Sequence, residues 1–216
     1  MSRSRTGRAS SRCASRPRRR SRPRTSPRTC PRRRTRSPTA ARGAPAEGAT
    51  LARSEARVRI GVVSDTHNHL ANVRRIVELF EAAGVERVVH TGDITQAKTL
   101  DVLAALRVPL HGVFGNNDLE RPALEAAIAR HGFHFAEPPL RLAWAGREIV
   151  VVHDPRDLAR CAPAAVGLHG HTHRLAIERR AGGLVFNPGE CAGHLRGHNA
   201  VGVVDLGSLD VELLRF

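Results

Sequence analysis

Tyrosine is absent, and tryptophan and methionine occur once each among 216 residues. Six phenylalanines bring the aromatic fraction to only 3%. A nucleic-acid site built on stacked rings therefore has little to work with. Lys98 is the only lysine. The four cysteines, Cys13, Cys30, Cys161 and Cys191, form no Cys-x-x-Cys pair, which excludes a disulfide framework and a thiolate metal site. No apolar run reaches the roughly 18 residues that read as a membrane span. A secretory signal is excluded too, because no apolar core follows the basic start. The expectation is a soluble, cytoplasmic protein with no membrane partner.

Acidic residues are missing from the N-terminal stretch until Glu47. Residues 1–57 hold 18 Arg and 2 Glu, a net +16, so of the chain's total of +15 the remainder carries only −1. This stretch is Arg, Ser, Pro, Thr and Ala with almost no large apolar side chains. Burial cannot offset its ordering entropy, so a disordered tail is expected. Phosphate neutralisation by arginines would make it a nucleic-acid tether. A transit peptide fits the composition but not the missing amphipathic period. The preferred account is an over-extended start, with one folded domain over 58–216. That domain shows no basic groove in its charge balance, so nucleic acid is expected only through the tail. Oligomeric state is left open.

What is present from Val58 onward is periodic. VRIGVVSD, RVVHTGD and VPLHGVFGNND are β-branched runs ending in polar loops, the pattern of buried strands. Between and after them lie LANVRRIVELFEAAG, TQAKTLDVLAALR and RPALEAAIARHG. Leu70, Val73, Ile76, Val77 and Phe80 fall at helical spacing, Gly84 suits a C-cap, and Pro122 suits a first turn. A βαβαβα order implies a parallel sheet with covering helices. The second half holds shorter strands with Gly-containing turns, starting with a hairpin turning at Ala145-Gly146. The fold class is α/β, with a second sheet richer in antiparallel pairs.

Polar clusters follow the apolar runs: Asp65 and His67 in SDTHNH, Asp93 in HTGD, Asn116 in GNND, His153 in VVHD, His171 and His173 in GHTH, and Asn187 in NPG. In α/β sheets the carboxyl edge is where ligands bind. Three histidines within GLHGHTH repel one another if protonated, and a cation would hold them together. Mixed oxygen and nitrogen donors suit Mn, Fe, Zn, Ni or Co rather than Ca or Mg. Asp65, His67, Asp93, Asn116, His153, His171 and His173 exceed the four ligands of one tetrahedral ion. If one carboxylate bridges, they give four ligands to each of two ions. Each piece alone has a plain explanation: Gly-Asp is a turn, Asn116-Asn117-Asp118 a loop, His153 a hydrogen-bonded core histidine. Their ordered conjunction is what needs explaining.

That string, D-x-H, G-D, G-N-x-D, H and G-H-x-H, resembles the calcineurin-like metallophosphoesterase superfamily, and most its small single-domain phosphodiesterase branch. The resemblance implies a four-layer sandwich of two mixed β-sheets flanked by helices. It implies one ion on Asp65, His67, Asp93 and His173, and another on Asp93, Asn116, His153 and His171. Asp93 would bridge, and Asp93, Asn116 and His153 would form the catalytic set. The cofactor would be two divalent transition-metal ions, Mn first, with Ni, Co, Zn or Fe as alternatives. The implied reaction is in-line attack of an activated hydroxide on phosphorus. The substrate would be a small phosphate ester or nucleotide, with a diester preferred over a monoester. His169 has no ligand role.

Three departures from that pattern stand out. Asn117 occupies the place of a histidine that protonates the leaving group in many relatives, leaving water or His69 to do so. Pro155 removes a second histidine. Glu190 replaces a frequent serine after Asn-Pro-Gly, adding a carboxylate near the site. The competing function is a non-enzymatic scaffold of the same fold, as in the retromer subunit, whose metal site is altered. The full ligand set favours the enzyme. Trp144, Phe80, Phe114 and Phe186 are expected in the core, Phe133 and Phe135 on a half-buried strand, and Glu178, Arg179 and Arg180 at a solvated strand end.

Overall fold

A computed structural model describes residues 58–216; the expected tail lies outside the described residues. The chain runs β1 (Arg59–Val63), α1 (Leu70–Ala83), β2 (Arg87–His90), α2 (Ala97–Leu103), β3 (Leu110–Val113), α3 (Arg121–His131) and β4 (His134–Ala136). It continues through β5 (Leu140–Trp144), β6 (Arg147–Val151), α4 (Pro155–Leu158), β7 (Val166–Leu168), β8 (Ala176–Arg180), β9 (Gly183–Asn187), β10 (Ala200–Asp205) and β11 (Val211–Arg215).

Two mixed sheets result. The first has the order β11-β10-β1-β2-β3-β4, with β1 to β4 parallel and β10 antiparallel to β1. The second has the order β5-β6-β7-β9-β8, with β6, β7 and β9 parallel and antiparallel strands at both edges.

Strand alternation splits the apolar residues between two cores. Val63 and Val88 face α1 to α3, where they meet Ile76, Phe80, Leu100 and Leu124. Ile60, Val62, Val89 and Val113 face the second sheet and meet Ile149, Val151, Leu168 and Phe186. The outermost layer over the second sheet is reduced to one turn, α4, whose Leu158 packs over Gly167 of β7.

Local signals act as expected. Gly84 ends α1 in the left-handed region at φ 63° and donates to the carbonyls of Glu81 and Phe80. Ala145 and Gly146 both take positive φ in the β5–β6 turn. The second helix is shorter than its sequence pattern. It tightens into a 3₁₀ turn over Ala104–Leu106 and stops at Arg107, at φ 54°, two residues before Pro109. Phe80, Phe114 and Phe186 are buried. Trp144 packs against the inter-sheet core, half-buried, with the Arg87 guanidinium 5.1 Å from its ring. Phe133 and Phe135 are half-buried beside the helix-side core, and β8 is exposed along Glu178, Arg179 and Arg180.

Candidate metal centre

The parallel strands β1, β2 and β3 of one sheet and β6, β7 and β9 of the other send their C-terminal loops to a common rim. The backbone there is strained. Asp65, His67, Asp93, His171 and His173 all take positive φ, between 41° and 66°, a region sparsely occupied outside glycine and typical of functional sites. Gly170 lets the two rims close on each other. A Cβ there would lie 1.9 Å from Ser64 Oγ and 2.8 Å from Asp65 Oδ2.

Asp65, His67 and His173 form one cluster, with ligand atoms within 4.8 Å of one another. His173 Nε2 is 3.5 Å from Asp65 Oδ1. His67 Nε2 is 3.5 Å from Asp93 Oδ2 and 4.0 Å from Asp65 Oδ1. Asp65 is fully buried. Its Oδ2 accepts from the Ser64 hydroxyl and, at 3.0 Å, from the His171 backbone N–H. Its Oδ1 and the His67 Nε2 are buried without a hydrogen-bond partner. Orphaned buried polar atoms are costly, and a cation between this carboxylate and imidazole would satisfy both. Burial raises the Asp65 pKa above the usual carboxylate range and lowers that of His67, favouring the neutral imidazole that ligates metals.

The second cluster centres on His153. Its Nδ1 lies 2.9 Å from the Thr91 carbonyl and donates to it, since that oxygen can only accept. Its Nε2 faces Asn116 Oδ1 at 3.0 Å, His171 Nδ1 at 3.3 Å and Asp93 Oδ2 at 3.5 Å. With its proton on Nδ1 alone, His153 Nε2 joins Asn116 Oδ1, Asp93 Oδ2 and His171 Nδ1 as the donor set of a cation site; a second proton, on Nε2, would be donated to Asp93 instead. Burial lowers the His153 pKa, but the hydrogen bond and charge of Asp93 outweigh it, so the net shift is upward. A proton held there competes with a metal ion. Asp93 sits between the clusters, its Oδ2 3.5 Å from both His67 and His153. All seven expected residues are therefore brought to this rim.

Other residues have roles the sequence did not reveal. Asn117 donates to Asp93 twice, through its backbone N–H at 2.9 Å and its side-chain amide at 2.7 Å. Burial opposes ionisation of Asp93, but the bonds from His153 and Asn117 prevail and hold its pKa low. Asp118 accepts from the backbone N–H groups of Asp93, Thr95 and Gly115 at 3.1, 2.6 and 2.7 Å. The G-N-x-D spacing contained it, but nothing in the sequence showed its targets. Asn187 is not a donor to the site. Its amide ties to the Gly170 carbonyl and Thr172 Oγ1, both at 3.1 Å, and braces the loop after β7. His169 is buried beside the outer hollow near Pro155 and Leu158. His69 caps α1, its Nδ1 accepting from Asn72 N–H at 3.3 Å. Pro155 opens α4 behind the N-cap Asp154. Glu190 is fully buried behind His173, rather than facing open space. A cleft of about 330 Å³ adjoins Asn116, His153 and His171, lined also by Phe114, Pro138 and Arg156.

A two-sheet α/β sandwich with carboxylate, amide and imidazole donors on one shared rim has the architecture of a metallophosphoesterase. The family model of the calcineurin-like phosphoesterase superfamily domain matches residues 58–208, and the chain belongs to that superfamily. It is 30% identical over 154 residues to the phosphodiesterase MJ0936 of Methanocaldococcus jannaschii, covering 68% of this chain and 93% of the relative. A solved archaeal phosphodiesterase superposes with a TM-score of 0.68 at 28% identity, covering 74% of this chain and 100% of its own. The Escherichia coli phosphoesterase YfcE shares the fold at a TM-score of 0.55 and 21% identity, covering 73% of this chain and 98% of its own.

Proposed function

We propose that this chain is a phosphodiesterase dependent on two divalent metal ions. The observation that carries the reading is the pair of orphaned buried atoms, Asp65 Oδ1 and His67 Nε2, beside a second group of donors facing one another around His153. Asp65, His67, Asp93 and His173 would hold one ion, and Asp93, Asn116, His153 and His171 the other. Ions so held would supply Lewis acidity, lowering the pKa of a bound water and stabilising negative charge on the phosphoryl oxygens.

The chain's own residues do the rest. Asn117 and Asp118 fix Asp93 from its side-chain and backbone faces, so the carboxylate is oriented before any ligand arrives. The Thr91 carbonyl fixes His153 with its proton on Nδ1, leaving Nε2 toward the donors. The cleft beside Asn116, His153 and His171 would receive the ester; Arg156 lines it, with its guanidinium bound to the Asp154 carboxylate. Asn117 is occupied with Asp93 and supplies no proton to the leaving group, which favours esters with acidic leaving groups.

The test is hydrolysis of bis-p-nitrophenyl phosphate and p-nitrophenyl phosphate by the full chain, chelated and then supplied with Mn, Ni, Co, Zn or Mg. Metal-restored cleavage of the diester is expected. Stoichiometric metal binding without turnover of either ester would favour the scaffold reading, and faster cleavage of the monoester would replace diesterase by monoesterase.

A further inference from the structure

Glu190 is one of the few fully buried carboxylates of the described residues. Its two oxygens are both engaged. Oε1 accepts the backbone N–H of Leu195, and Oε2 lies 3.1 Å from His173 Nδ1. The opposite nitrogen of the same ring, Nε2, faces Asp65 Oδ1 at 3.5 Å. The ring is thus gripped from behind by one carboxylate and turned toward another. His194 of the same loop flanks the ring, with centroids 5.5 Å apart and its Nδ1 3.8 Å from Glu190 Oε2. The loop itself is tied down, since Asn72 donates to the Cys191 carbonyl at 2.7 Å and Gly193 N–H donates to Asn199 Oδ1 at 3.0 Å.

We propose that Glu190 is a positioning residue of the metal centre: its carboxylate holds the proton of His173 on Nδ1 and leaves Nε2 free to bind an ion beside Asp65. The inference rests on His173 being a metal ligand, as in the reading above. A ligating histidine that donates its other N–H to a carboxylate is fixed in tautomer and orientation and is a more basic ligand. Glutamate here strengthens one of the two ion positions and leaves the other as it was.

Chemistry dictates the test. A carboxylate offers acceptors to both Leu195 N–H and His173 Nδ1–H, whereas a carboxamide offers one acceptor and one donor. In Glu190→Gln, one of the two contacts becomes donor against donor. Zinc affinity of the full chain is measured by calorimetry, and the His173 ring nitrogens by ¹⁵N NMR with and without metal. Recorded at alkaline pH, where the ring carries a single proton, the metal-free spectrum of the unaltered chain is expected to show protonated Nδ1 and unprotonated Nε2. In Glu190→Gln that pattern is expected to be lost, with one zinc affinity falling about tenfold to a hundredfold and the other unchanged. Glu190→Ser is expected to weaken the same position while retaining the loop, which separates the effect from misfolding. Unchanged zinc affinities with an unchanged ring spectrum would overturn the proposal, as would a proton on Nε2 in the unaltered chain. Loss of a third ion in the variant would also overturn it, making Glu190 a ligand in its own right. Failure of the unaltered chain to bind zinc would instead refute the metal reading, while the metal-free ring spectrum would still decide the tautomer claim.

Discussion

The Asp118 carboxylate accepts the backbone N–H of Asp93 at 3.1 Å, so the residue between the two donor clusters is held by a side chain that belongs to neither. The same carboxylate takes the N–H groups of Thr95 and Gly115 and thereby joins the loops after β2 and β3. Asp118→Asn replaces one acceptor oxygen by a donor facing an N–H. With hydrogen bonds to buried charged groups worth about 1.5–3 kcal/mol each, a loss of about 2–3 kcal/mol in urea unfolding is expected, together with weaker metal binding.

Asp93→Ala removes the carboxylate oxygen shared between His67 and His153. Both ions are expected to be lost in elemental analysis of the purified chain. Metal-dependent diester hydrolysis should fall on the order of a thousandfold or more, since the Lewis acid contributes several kcal/mol to the transition state. Unaltered turnover would remove the metal centre from the mechanism.

Gly170→Ala is expected to displace Asp65. The added methyl would meet Ser64 Oγ and Asp65 Oδ2 well inside van der Waals contact, and both belong to the β1 loop that carries the first cluster. Metal affinity measured by calorimetry should fall by at least about tenfold, as when the supports of a ligand are removed. Far-ultraviolet circular dichroism should stay the same.

His111 gives a pH dependence away from the metal donors. Burial, with the charges of His134 and Arg87 behind it, lowers its pKa from 6.5 to about 4, and its Nδ1 is buried without a partner. The folded chain thus resists a proton that the unfolded chain accepts. Its neutral form supports folding above pH 6.5, and that support is lost as pH falls from 6.5 toward 4. His111→Phe keeps a ring against Trp144, 4.9 Å away between centroids, and removes the titration. In chelated protein, urea unfolding at pH 5 and pH 7.5 should show the variant gaining about 1 kcal/mol at the lower pH relative to the higher, a figure discounted for partial exposure.

Much of this was legible in the chain because it rests on local rules. The helical spacing of Val73, Ile76, Val77 and Phe80 placed α1, and all four are buried. Gly84 and Gly132 ended their helices as left-handed caps. The donors were legible because each follows a β-branched run, and parallel strands put such ends on one edge. Residues acting through distant backbone were not. Asp118 reaches Asp93 across 25 positions and Glu190 reaches His173 across 17, and no periodicity encodes either pairing. The single turn of α4 was missed because four residues are too few to show a helical stripe, although Asp154 and Pro155 carried its start signals. Asn187 was grouped with the strand-end polar residues but not among the seven ligands, and its bracing of the loop after β7 through Gly170 and Thr172 is another pairing that spacing does not encode.

The convergence of both sheets on one rim has a mechanical consequence. Asp65 and His171 are 106 residues apart in sequence and belong to different sheets, yet the backbone N–H of one donates to the carboxylate of the other. Any ion shared by Asp65 and His173 would rivet the two sheets together at that edge, as a crosslink closing a loop of more than half the described chain. Such a rivet would hold the rim, while the opposite end is already tied by Arg147, beside the β5–β6 turn, whose guanidinium donates to the Leu206 and Gly207 carbonyls after β10.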